Sequence, residues 1–362
     1  MGDGMGPEQL AAGRYAAGGR LRIDSLDGPT LAITDSLTTL HVGGFDPPPT
    51  DSAAGATWIA TGVRVDNDVL SLTADGRKLE TVLEVCQREG KATGLVTTSY
   101  FFDASPAAFA SHQISRGLYP DIIREMLRVT QPDVVMGGGA IIFDDPLYDL
   151  AAVAAESEYT IVRTIAELTA WDPAATPRLL GLFSTDFIPI TPGPEVFTMT
   201  PALERTESSP DPTLATMTRR ALDRLSQDPE GFFLFAEDEI TDSIGHRGPV
   251  EVEWANRAYP AEIAAIDEAV GVAIDWVLAN SSFEETLIVV LADHETGGYR
   301  FDPLLGPESG TFTAVFDDGF SRAGLHTRRP IEVYALGPRS QGIEQIASHG
   351  DTHRLLMGTL HW

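Results

Sequence analysis

Phe232–His246 reads FFLFAEDEITDSIGH, and the reading of this stretch decides the fold. Phe232-Phe233-Leu234-Phe235-Ala236 is an unbroken apolar run of strand length, as expected of a strand buried on both faces. Glu237 stands where that strand ends. Asp242 and His246 follow, four residues apart. On a helix they share one face, so a carboxylate and an imidazole there could hold one ion together. Glu237 lies too far back to share that face and is placed to serve a second ion. A buried strand that runs out into Glu, Asp and His is costly unless those groups are paired or bind metal. The alternative is a solvated loop with an exposed helix start.

The same pattern recurs outward along the chain. Thr286–Ala292 reads as a buried strand ending in Asp293-His294-Glu295-Thr296-Gly297-Gly298. Thr93–Phe102 reads as a strand ending in Asp103-Ala104-Ser105-Pro106, with Ser105 capping a helix that Pro106 begins and that runs toward Arg116. A Gly2-Asp3-Gly4 turn leads into a helix over Pro7–Ala17, where Asp3 is either a cap or a metal ligand on a tight glycine loop. Pro47-Pro48-Pro49 delivers the chain to Thr50-Asp51-Ser52 and a helix over Ala53–Thr61. Ser52 is then an N-cap, or a nucleophile whose phosphorylated form the helix N-terminus stabilises. His326-Thr327 precedes a strand over Ile331–Leu336.

Further strands are expected at Leu31–Thr38, Val134–Met136 and Leu179–Phe183, and helices at Lys78–Glu89, Ile161–Thr169, Thr213–Leu225 and Pro260–Asn280. Strands alternating with helices imply an α/β three-layer sandwich, a central mostly parallel sheet with helices on both faces. The acidic residues and histidines gather past the C-terminal ends of strands, where open α/β sheets bind ligands.

The chain has 362 residues, 43% of them hydrophobic, enough for one large core, and no linker or repeat divides it. We read residues 1–362 as a single catalytic domain with a short irregular insertion around 299–325. The net charge of −28, from 25 basic and 53 acidic residues, excludes a basic nucleic-acid-binding surface. No apolar run approaches the ~20 residues of a membrane span, and no signal peptide is visible. The single cysteine, Cys86, stands at helical spacing with Leu79, Val82 and Leu83 and reads as core.

At the candidate ligands the sequence resembles the alkaline phosphatases. The matching blocks are GDGMG at Gly2–Gly6, TDSAAGAT and ATGV within Thr50–Val63, GLVTT, DASPAAF and SR within Gly94–Arg116, FFLFAE, D and GH within Phe232–His246, LADHETGG at Leu291–Gly298, and HT at His326. They occur in the family's order and span nearly the whole chain.

The resemblance implies an alkaline phosphatase-like fold and hydrolysis of small-molecule phosphate monoesters through a phosphoserine, with two Zn2+ and one Mg2+ per chain. Asp242, His246 and His326 would hold one zinc; Asp3, Asp293 and His294 the other, joined by deprotonated Ser52. Asp3, Ser105 and Glu237 would hold magnesium, with Asp103 close by through water. Arg116 would clamp two phosphate oxygens as a fork, oriented by Asp51. It also implies a homodimer and a periplasmic or secreted location. A phosphodiesterase or sulfatase on the same scaffold is the alternative enzyme, and a catalytically inactive binding homologue the alternative outside enzymes.

Three departures bear on these expectations. The family's buried strand directly before Gly-Asp-Gly has no counterpart ahead of Met1, which bears on how firmly Asp3 is held. The segment between Gly298 and His326 is short. Ser243 follows Asp242, where relatives often carry Lys, His or Trp. Three other features read as structural: the His349-Gly350-Asp351-Thr352-His353 tail, which lies beyond the family's last ligand, His112 and Asp267.

Only two lysines, Lys78 and Lys91, accompany the acidic excess. Such a surface fits a salt-rich habitat, and salt would screen its self-repulsion. The melting temperature should therefore hold or rise from low to molar NaCl; a steady fall in thermal melts excludes salt tolerance.

Overall fold

The computed structural model describes residues 1–38, 48–183, 188–189, 196–197, 201–206, 209, 211–247, 252–301, 312–314 and 324–358. Most of the expected insertion at 299–325 lies outside these; within it, Tyr299–Phe301 pairs antiparallel with Phe312–Ala314.

The strands used below are β1 (Asp27–Ala32), β2 (Ala92–Tyr100), β3 (Val134–Gly138), β4 (Tyr159–Val162), β5 (Arg178–Leu182), β6 (Phe232–Glu237), β7 (Ile288–Val290), β8 (Glu295–Thr296), β9 (His326–Thr327) and β10 (Ile331–Leu336). Five form a parallel sheet in the order β4-β5-β3-β2-β6. Every residue of β2 is buried, as a strand covered on both faces must be. A second, three-stranded sheet, β1-β10-β7, is antiparallel at both pairings.

The helices are α1 (Pro7–Ala16), α2 (Ser52–Thr61), α3 (Val82–Arg88), α4 (Ala104–Ala110), α5 (Tyr119–Glu125), α6 (Leu214–Leu225), α7 (Ile240–Arg247), α8 (Val252–Asn280) and α9 (His349–Gly358), with shorter ones between. Among the described residues no helix is long and apolar enough to cross a membrane.

Met1–Asp3 joins the two sheets. The Gly2 N–H donates to the Leu291 carbonyl beyond β7 at 3.0 Å, while the Asp3 N–H donates to the Asp238 carbonyl beyond β6 at 2.7 Å. These bonds hold Asp3 between the two sheet ends. Below the bridge, a cavity of about 990 Å³ separates β6 from β7, walled by Phe232, Phe235, Trp276 and Val290.

Several boundaries move for local reasons. The expected strand Leu31–Thr38 ends at Ala32. The expected helix Lys78–Glu89 starts only at Val82, because Thr81 and Glu84 form a capping box there. Ile161–Thr169 divides into the end of β4 and a helix over Ile165–Ala170 capped by Thr164. α8 begins eight residues before Pro260 and tolerates that proline inside the helix. α4 stops at Ala110, so Arg116 and His112 sit on a loop, not on its last turns. Asp267 accepts the Arg22 and Ile23 N–H groups at 2.9 Å each.

His112 is buried on that loop, its Nδ1 3.1 Å from Glu125 Oε1 and its Nε2 3.0 Å from the Leu79 carbonyl. Both neighbours are acceptors, so both ring nitrogens must donate, which needs the imidazolium. Glu84 and Lys78 complete the cluster. Burial opposes the charge, but Glu125 and Glu84 push the His112 pKa up to about 9. A raised pKa contributes stability that is complete below ~6.5 and is lost as pH rises through the folded value. Denaturant unfolding should thus show wild type losing roughly 2 kcal/mol between pH 7 and 10 relative to His112→Asn. Parallel pH profiles in the two proteins contradict this.

Candidate active site

Glu237, Asp293 and His294 lie at or just past strand ends, Ser105 and Asp242 lie on the helices that follow β2 and β6, Asp3 stands on a loop before α1, and Ser52 is the first residue of α2. Asp242 and His246 sit one turn apart on α7, with Asp242 Oδ2 3.1 Å from His246 Nε2. β9 pairs with β8 and brings in His326, whose Nε2 is 3.1 Å from His246 Nε2 and 3.5 Å from Asp242 Oδ1. His326 Nδ1 donates to the Thr50 carbonyl at 2.8 Å, and His246 Nδ1 to the Gly324 carbonyl at 2.6 Å. These bonds fix both tautomers and leave two Nε2 lone pairs facing each other beside a carboxylate. That arrangement repels unless a cation lies among them. Three protein ligands with a fourth position open suit zinc.

A second cluster joins Asp3, Asp293 and His294. His294 Nε2 lies 3.5 Å from Asp3 Oδ1, 3.3 Å from Asp293 Oδ2 and 3.3 Å from Ser52 Oγ. The approach depends on Gly4, which has a φ of +65°; a Cβ there would come within 2.9 Å of the Asp242 backbone. The His294 and His326 rings stack with centroids 3.7 Å apart, so the two clusters adjoin.

Ser52 opens α2, but the helix is capped by Asp51, whose Oδ1 accepts the Ala54 N–H at 2.9 Å. The serine hydroxyl is therefore left for the site, and the capping reading of Ser52 is corrected. Ser105 likewise is no cap: Asp103 occupies that position and Ser105 lies inside α4.

A third group of oxygens faces the second cluster. Asp3 Oδ1, Ser105 Oγ, Glu237 Oε1 and Asp293 Oδ2 are all buried without a hydrogen bond. Glu237 Oε2 accepts from Thr97 Oγ1 at 2.6 Å. Burial lifts the Glu237 pKa to about 7 and, with the Asp242 charge, that of Asp293 to about 8; Asp3 rises strongly through burial and Asp293. Asp242 is the exception: burial opposes its charge, but His246 and His326 hold it well below the carboxylate range. Orphaned oxygens and mutually repelling carboxylates are what an oxygen-binding cation such as magnesium relieves.

Arg116 is held from two sides. Its Nη2 donates to Asp103 Oδ1 at 3.0 Å, and its Nη1 is 3.7 Å from Asp51 Oδ2. Asp103, expected near the third metal, thus gives Arg116 its closer contact, and it also accepts from Ser99 Oγ at 2.5 Å.

Two residues escaped the sequence reading. Thr296 Oγ1 donates to Asp242 Oδ1 and lies 3.1 Å from His294 Nδ1, so it links the clusters. Its place two residues after His294 was the available signal. Glu239 accepts from Ser243 Oγ at 2.7 Å, and its other oxygen is buried without a partner. Burial, with Asp242 and Asp103 nearby, raises its pKa strongly.

Comparisons with known proteins identify the family. The family model described as alkaline phosphatase matches residues 1–318. Alkaline phosphatase H of Pseudomonas aeruginosa is 31% identical over 97% of this chain and 82% of its own length. Alkaline phosphatase 3 of Bacillus subtilis is 31% identical over 83% of this chain, which spans 60% of that relative's length. The alkaline phosphatase from the Antarctic bacterium TAB5 superposes with a TM-score of 0.76 at 24% identity, over 99% of this chain and 96% of that one. The chain belongs to the alkaline phosphatase family.

Proposed function

We propose that the protein hydrolyses phosphate monoesters through a phosphoserine on Ser52. The observation that carries this is Ser52 Oγ itself: freed from capping by Asp51, it stands 3.3 Å from His294 Nε2, and the adjoining Asp51 carboxylate lies 3.7 Å from the Arg116 guanidinium. Asp242, His246 and His326 would hold one zinc, Asp3, Asp293 and His294 the other, and Asp3, Ser105 and Glu237 a magnesium. Bound metal would supply Lewis-acid stabilisation of the attacking and leaving oxygens and a water of lowered pKa.

Arg116 binds two non-bridging phosphate oxygens through its fork, steadied by Asp103 and Asp51. Ser52 Oγ attacks phosphorus, the bond to the alcohol oxygen breaks, and the alcohol leaves with a proton. Water then attacks the phosphoserine from the vacated side, releasing phosphate and restoring the Ser52 hydroxyl. Two inversions give net retention at phosphorus. The positive end of α2 favours the phosphoserine charge. By likeness to its family we also place the protein outside the cytoplasm, as a homodimer.

Ser52→Ala should abolish the phosphoenzyme and lower turnover of p-nitrophenyl phosphate by at least about 10³-fold while zinc stays bound. Acid quenching with labelled substrate checks it: label trapped undiminished in the variant means another nucleophile. Parallel assays with a bis-aryl phosphate and an aryl sulfate separate the diesterase and sulfatase alternatives.

Ser243 donates to Glu239, so neither of these two residues brings a positive charge to the proposed phosphate site. Ser243→Lys should tighten product inhibition by phosphate about tenfold, roughly 1.4 kcal/mol. Inhibition constants unchanged from wild type overturn that account of Ser243.

A further inference from the structure

The tail motif His349-Gly350-Asp351-Thr352-His353 forms the start of α9, and its first histidine reaches the site. His349 is fully buried. Its Nε2 lies 2.7 Å from the main-chain carbonyl of Asp293, and its Nδ1 is buried without a partner. One acceptor and no second partner fix the tautomer: the proton is on Nε2 and is donated to Asp293. Asp293 and His294 lie in irregular backbone beyond β7, where no ladder bond steadies that carbonyl. Among the described residues, His349 alone donates to it.

The rest of the motif presses the same end of α9 onto the helix that carries Ser52. A Cβ on Gly350 would fall 2.7 Å from Trp58 Nε1 of α2, and the Trp58 ring meets His349 edge-on at 5.8 Å. His353 Nδ1 lies 3.1 Å from the Ile59 carbonyl of α2. Asp351 Oδ2 accepts from the Ala347 N–H and Ser348 Oγ, fixing the helix start. α2 also packs close to the Asp293 carbonyl, since a Cβ on Gly55 would stand 3.1 Å from it.

We propose that His349 is a positioning residue: it holds the Asp293 main chain so that the Asp293 and His294 side chains meet Asp3 and Ser52 in one ligand set. The inference rests on the metal reading of that cluster. His353, one turn along, ties α9 to α2 without touching a ligand residue, so it serves as the structural control. His349→Gln keeps an N–H near Nε2, whereas His349→Leu keeps bulk and loses the donor.

The test is zinc binding by the intact chain, measured by competition with a chromophoric chelator alongside thermal melts. His349→Leu should weaken one zinc site about 10- to 100-fold, the range typical of groups that orient metal ligands. His353→Leu, compared at equal loss of melting temperature, should bind zinc as wild type does, and His349→Gln should recover most of the affinity. Zinc held equally well by His349→Leu, or lost equally in His353→Leu, overturns the proposal while leaving the metal reading intact. Wild type that takes up no zinc sinks both. Should His349→Leu not fold, imidazole 15N spectra of wild type decide: the His349 Nε2–H signal should shift when chelator strips the zinc, and a signal indifferent to stripping rejects the role.

Discussion

The constraint on which the site depends is an excess of buried negative charge in one chamber. Asp3, Glu237, Asp242 and Asp293 are all nearly inaccessible and lie close enough to perturb one another. Ionised carboxylates in such a place are tolerated only with countercharge at hand, or they take up protons. Imidazoles supply some relief around Asp242. Around Asp3 and Asp293 the protein offers one histidine and several orphaned oxygens, a set that a divalent cation completes. Such crowding demands small residues. α2 begins Ser-Ala-Ala-Gly-Ala, and a larger side chain at Gly55 would push against Asp293.

Two sheets deliver the ligands. The parallel register of β2 and β6 sets Thr97 opposite Glu237, so the threonine hydroxyl reaches one carboxylate oxygen and leaves the other turned toward the chamber. β7 belongs to the antiparallel sheet and releases Asp293-His294 from its end. Met1–Asp3 hydrogen-bonds to both sheet ends, so Asp3 stands where the two ligand groups must be held in common. Relative movement of the sheets would separate the clusters from the oxygen site, and the Thr296 bridge between Asp242 and His294 resists it.

Much of this was legible in the chain because strand ends announce themselves: an apolar run of strand length that stops at Glu237 or Asp293 fits a buried strand opening onto a polar chamber and little else. The spacing of Asp242 and His246 translates directly into one helix face. What the chain concealed depends on tertiary choices. Ser52 and Asp51 are equally good caps by residue type, and only the packed structure shows that Asp51 takes the role. Arg116 looked like the end of a long helix, but α4 stops at Ala110 and the loop turns Arg116 toward Asp103. The antiparallel pairing of β10 with its two neighbours carries no periodicity signal that differs from a parallel one. Thr296 and Glu239 were hidden because a threonine or a glutamate beside candidate ligands reads as filler until its partner is placed.

For an acidic chain, the dianionic substrate proposed above poses an electrostatic conflict. With a net charge of −28, the distant field opposes phosphate at low ionic strength. At 0.1 M salt, charges more than ~10 Å apart are largely screened, so the local field decides the encounter. Locally, the carboxylates of the chamber are candidate cation ligands, and each divalent ion bound there would reverse the sign seen by the substrate. Arg116 adds a fixed positive fork, held between Asp103 and Asp51. Glu239 and Ser243 add no cation on their side. Under the proposed mechanism, the positive features that the described residues offer the substrate are Arg116 and the α2 N-terminus, so metal occupancy of the clusters should govern phosphate affinity as well as the chemistry proposed at Ser52.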